Sequence, residues 1–383
     1  MTRRTALLFV ALVLGLGWAI RGHFGHEHGA AWAGALAGLA VIVAAKREDW
    51  IRRLPTLAAL AAVGWGVGGM MSYGRIVGYG RGTDFGNVLY GLAMLGVVGA
   101  LYGYIGGGLF GLGLESPPDR KPKWSQLFTE MIAGGLIFWY VLIAQFEWFM
   151  TPPRSELWAA CLGAAVALAW YLYRNGYFRA LRVAGYAALG AGFGFAFGNF
   201  LQVMGNVSGL TFNWWNVMEF SLGFFGGLGM AYGVFSREWP TSLESSKIAN
   251  HMALIFLLLA LPLVNIIQAF DVEKFLPMAE RLDITNGVAF AKLQILFAYI
   301  ATIVFATLGF LLFRAYSNSN TSQNRFAAAM LFLYVMFYLA FSHIIKLVFY
   351  AGLPFQLNQV LYWVVVFIFF AMWFLNRNKT NEL

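Results

Sequence analysis

The chain has 383 residues, of which 60% are hydrophobic and only 11% charged, and its mean hydropathy is +0.67. Soluble domains carry about 25% charged residues, so this composition excludes a soluble fold and makes the lipid bilayer the expected solvent. The formal net charge of +9 does not point to nucleic acid, because the basic residues sit in turns between apolar runs rather than on one polar face.

Apolar runs of about twenty residues recur along the chain and predict an all-α, polytopic transmembrane bundle of about twelve spans. In chain order the expected helices cover 5–22, 30–45, 54–73, 86–113, 125–148, 155–173, 181–202, 214–235, 248–268, 286–313, 326–347 and 355–375. No stretch reads as a soluble domain, so residues 1–383 form one transmembrane domain. Arg3-Arg4 ahead of the first run resembles a secretory signal, but the run reaches Arg21 without a clear small-x-small cleavage site, so a retained first helix is expected. Gly, at 44 residues, and Trp, at 14, predict close helix packing and interfacial anchoring. The single Cys161 has no partner for a disulfide.

Charge in the turns orients the chain. Eighteen of the 26 Lys and Arg residues fall in alternate turns, from Arg3 and Arg4 to Arg377 and Lys379. The positive-inside rule then puts both termini in the cytoplasm of a multi-pass inner-membrane protein. The other eight are Arg21, Arg75, Arg81, Arg154, Lys274, Arg281, Lys292 and Lys346, at the outer side or within spans.

Polar side chains gather at that outer side. The first turn holds Arg21, His23, His26, Glu27 and His28. Histidine and glutamate titrate usefully there and Arg21 suits an anion, whereas His-x-x-His-Glu-His is not a standard ligand spacing, so no metal or cofactor is assigned. A second cluster, Tyr73 to Asn87, places Arg75, Arg81, Asp84 and Asn87 among glycines, where guanidinium groups can hold carboxylate, phosphate or sulfate. Farther on come Asn199, Gln202, Asn213, Asn216, Glu219, His343, Lys346 and Gln356, amides and cations suited to reading a polar solute. Glu219, about one turn into its span, should meet a cation or a proton.

These positions also align with one another. Ser72, Asn199 and His343 correspond, as do Arg75, Gln202 and Lys346; Asp84, Asn213 and Gln356; and Asn87, Asn216 and Gln359. The offsets suggest three four-helix units over 1–123, 124–247 and 248–383.

Two functions fit. The first is secondary transport of a small polar, anionic or sugar-like solute through a polar cavity open to the outer face. The second is a membrane-embedded transferase or hydrolase acting on a sugar or lipid-linked substrate, with Glu27 and Asp84 as its acid–base pair. Arg21, Glu27, Arg75 and Asp84 are expected to share one charged mouth. A small-molecule substrate and the lipid bilayer are the expected partners.

Overall fold

A computed structural model describes residues 1–25, 27–243, 246–318, 323–350, 353 and 356–376, with the backbone alone at residues 27 and 318. The described residues are helical and contain no strand. The helices are α1 (Arg3–Arg21), α2 (Glu27–Ala45), α3 (Glu48–Arg52), α4 (Leu54–Gly68), α5 (Gly74–Gly80), α6 (Phe85–Leu114), α7 (Trp124–Trp139), α8 (Leu157–Arg174), α9 (Phe178–Val207), α10 (Trp214–Phe235), α11 (Lys247–Ile255), α12 (Leu261–Ala269), α13 (Val272–Arg281), α14 (Gly287–Asn318), α15 (Gln323–Lys346) and α16 (Leu357–Asn376). A π-helical turn extends α7 over Tyr140–Gln145, and a second, Phe256–Ala260, joins α11 to α12.

Among the described residues, eleven helices are long and apolar enough to cross a membrane, with α11 to α12 counted as one. The expected span 54–73 stops early. Four glycines between Gly64 and Gly69 weaken the helix by roughly 1 kcal/mol each relative to alanine, and Gly69 caps its end. The 15 residues of α4 rise about 22 Å, short of an apolar core about 30 Å thick. The chain then turns through 69–73 into the short α5.

Two packing regimes divide the bundle. In α1 to α10 the helices approach backbone to backbone at glycines. A β-carbon on Gly223 of α10 would lie 2.5 Å from the Leu14 carbonyl oxygen of α1, and one on Gly194 of α9 would lie 2.6 Å from that of Ser221. Gly103 of α6 has no room for a side chain against Ala187 of α9. Such contacts replace the absent hydrophobic drive between helices in lipid. The segment from α11 to α16 packs instead through rings. Trp32 of α2 stacks on Tyr338 of α15 at 4.6 Å, Phe9 of α1 meets Phe369 of α16 at 5.9 Å, and Phe332 meets Phe370 at 4.9 Å.

At the positions the internal alignment equates, Asp84 and Asn213 cap α6 and α10 by accepting the backbone N–H of Asn87 and Asn216, at 2.8 and 3.3 Å. Gln356 stands before α16, where its carbonyl accepts the N–H of Gln359 at 2.9 Å.

Candidate functional site

A fully buried ion pair joins α1 to α10. Arg21 and Glu219 are 0% and 1% exposed, and one Nη of Arg21 lies 3.0 and 3.1 Å from the two carboxylate oxygens. Local sequence brings each into place: Arg21 ends α1, and Glu219 follows the Asn213 cap by less than two turns. The turn after α4 returns Tyr73 to the pair, where its hydroxyl donates to Glu219 Oε1 at 2.7 Å and also contacts Arg21. Trp215 Nε1 adds a third donor to Glu219 at 3.1 Å. The guanidinium lies over the rings of Trp18, at 5.0 Å, and Tyr73, at 5.4 Å. Every neighbour thus serves one charge or the other, as a desolvated pair requires.

A polar seam leads from this pair to α15 and α16. Asn216, one turn before Glu219, donates to the Ala19 carbonyl at 2.8 Å and accepts from Tyr362 at 2.7 Å. The Tyr362 ring lies 6.4 Å from that of His23. His23 Nδ1 is 3.0 Å from Ser342 Oγ, which donates to Gln359 Oε1 at 3.2 Å. His23 therefore carries its proton on Nδ1 and donates to the serine. Burial, then Lys346, Lys274 and His343, hold its imidazole well below the ordinary range, so it is neutral.

The seam opens into a cavity of about 310 Å³, whose polar lining includes His343, Tyr350, Gln356, Gln359 and Trp363. Trp363 donates to His343 Nε2 at 2.9 Å. Nε2 is therefore the acceptor and the ring proton sits on Nδ1, which faces the Leu339 carbonyl one turn back along α15. Gln359 Nε2 is buried and unpartnered. This spare atom is a donor, and Lys346 is an electrostatic neighbour of the seam, whereas Lys274 already faces Asp271 and donates to the Ala269 carbonyl. Gln356 donates to the Lys346 carbonyl at 3.3 Å.

The structure thus unites Arg21 with Glu219 and Asn216, and His23 with His343, Lys346 and Gln356. Asn199 and Gln202 form a separate buried pair, joined at 3.2 Å beside Gly80, and Asn213 serves as a cap. His26 lies outside the described residues, as does the Glu27 side chain. The shared charged mouth requires correction: Arg75, Arg81, Asp84 and Asn87 are all exposed, and Arg21 pairs with Glu219. The Asp84 carboxylate is occupied by the Asn87 N–H because the start of α6 needs a cap. Tyr73, Trp215, Ser342, Tyr362 and Trp363 are further members of the site. Their hydroxyl and indole groups look like ordinary interfacial residues in the sequence, and only their partners distinguish them.

The chain matches no family model, no curated protein and no solved structure.

Proposed function

We propose that this membrane-embedded helical protein is a secondary carrier for a small polar anion, received in the cavity between α15 and α16. The observation that carries the reading is the buried, unpartnered amide donor Gln359 Nε2 in the lining of a 310 Å³ cavity beside Lys346. A spare donor left buried is expensive, about 1–3 kcal/mol. An acceptor-rich ligand that takes it up gains that free energy, whereas a donor-rich one does not. A neutral sugar would satisfy the amide but leave the Lys346 ammonium without a counter-charge.

Movement follows from the two packing regimes. The glycine-packed helices α1 to α10 form the stiff side, and α11 to α16, held by ring contacts, form the side that rocks. The seam from His23 to Gln359 crosses between them. An anion in the cavity raises the proton affinity of neutral His23, which couples solute to proton entry. The Arg21–Glu219 pair closes the path at depth.

The test is uptake by purified protein in liposomes of a panel comprising small carboxylates, sulfate, phosphate and neutral hexoses, with and without an imposed pH gradient. Saturable uptake of an anion, driven by the gradient and lost in His343→Phe, is expected. Uptake of hexoses alone, or no uptake of any panel member by folded protein, overturns the reading.

A further inference from the structure

The opposite end of the bundle, rich in Lys and Arg, carries a second cavity. It measures about 840 Å³ and lies between the start of α9 and the end of α10, with Phe178, Arg179, Arg182, Arg237 and Glu238 in its lining. Arg179 is already engaged, donating from Nε to the Glu238 carbonyl at 2.7 Å and reaching buried Glu115 at 3.5 Å. Arg182 spends only Nε, on Ser236 Oγ at 3.0 Å. Its guanidinium carbon lies over the Tyr186 ring at 4.8 Å; Tyr186 meets Tyr232 edge to face at 4.7 Å, and Arg3 lies over that second ring at 5.0 Å. The ring and Ser236 hold Arg182 in place, and no hydrogen bond engages its terminal nitrogens among the described residues. Arg237 is exposed, and Glu238 supplies the only acidic side chain of the lining.

We infer that this cavity binds the phosphodiester headgroup of an anionic phospholipid. Two guanidinium groups with open forks match a phosphate's paired oxygens. Their placement selects lipid over free phosphate, since the cavity sits where two apolar spans end and Phe178 presents 59% of its surface beside it. A ring at that level contacts glycerol and the first methylenes of a lipid, which inorganic phosphate lacks.

The experiment is native mass spectrometry of the full chain in detergent, titrated with phosphatidylglycerol or phosphatidylcholine. Wild type is expected to retain phosphatidylglycerol preferentially. At about 1 kcal/mol per cation, Arg182→Gln with Arg237→Gln should weaken that retention roughly 30-fold. The corresponding double Lys variant, a safeguard should the Gln pair fail to fold, keeps the charge but not the fork and should retain the lipid less well than wild type and better than the Gln pair. Arg75→Gln with Arg81→Gln, at the other end, should change nothing. Equal retention of both lipids by wild type, equal loss in the Arg75/Arg81 control, or displacement of the lipid by millimolar inorganic phosphate would each overturn the inference.

Discussion

Breaking the Arg21–Glu219 pair from either side should be far more damaging than removing it whole. Glu219→Gln keeps the volume but leaves a guanidinium at 0% exposure without counter-charge, and breaking such a pair costs about 3–5 kcal/mol. Arg21→Met leaves the carboxylate with only Tyr73 and Trp215 as donors and belongs in the same range. In the double variant Arg21→Met with Glu219→Leu no buried charge remains. What persists is a Tyr73 hydroxyl and a Trp215 indole N–H that have each lost the carboxylate to which they donated, about 1–3 kcal/mol each. The single losses would add to about 6–10 kcal/mol, whereas the double variant should lose about 2–6 kcal/mol. Reversible unfolding in mixed micelles of dodecylmaltoside and dodecyl sulfate measures all four corners of the cycle. Additivity within about 0.5 kcal/mol, or single losses below about 1 kcal/mol, would show that the two charges do not depend on each other, and the account of the site would fail.

Arg75→Lys and Asp84→Asn should leave uptake near wild type, because both side chains are exposed; a large loss in either would return them to the site. Gly103→Ala should destabilise the protein by about 2 kcal/mol or more through a clash with the Ala187 backbone, whereas Gly185→Ala, which meets open space, should be neutral or slightly stabilising; the same unfolding assay separates them. His23 has a lowered folded-state pKa, so the unfolded chain binds its proton first as pH falls. Stability contributed by neutral His23 should therefore be complete above about pH 6.5 and decline below it, and His23→Asn should flatten that limb of a pH–stability profile. A cysteine placed at Pro118 should be blocked only by permeant reagents in intact cells, and one at Met278 should react with impermeant reagents; the reverse pattern would invert the orientation.

The helices were largely legible because membrane burial imposes long apolar runs. The expected 214–235 coincides with α10, and most other boundaries fall within a few residues. The short α4 was the exception, since hydropathy does not register how far glycines weaken a helix. Glu219 was legible as a charge in need of a partner, but its partner was not, because Arg21 lies 198 residues away and neither periodicity nor spacing reports such pairing. The stretch from Arg75 to Asn87 misled for the complementary reason. Charges among glycines read the same whether they hold a ligand or cap a helix, and here the unsatisfied N–H groups at the start of α6 claimed Asp84.

The second helix has a history that its final position implies. Almost every residue of α2 is covered by protein, 94% over its apolar window, and its neighbours include α1 and α4 but also α12 and α15. During synthesis it enters the bilayer long before the helix whose rings enclose Trp32, which lies far downstream in the chain. Until α15 arrives, one side of an alanine- and glycine-rich helix must face lipid or a chaperone. Chains truncated before residue 323 should therefore insert yet remain vulnerable to membrane proteases until α15 is supplied.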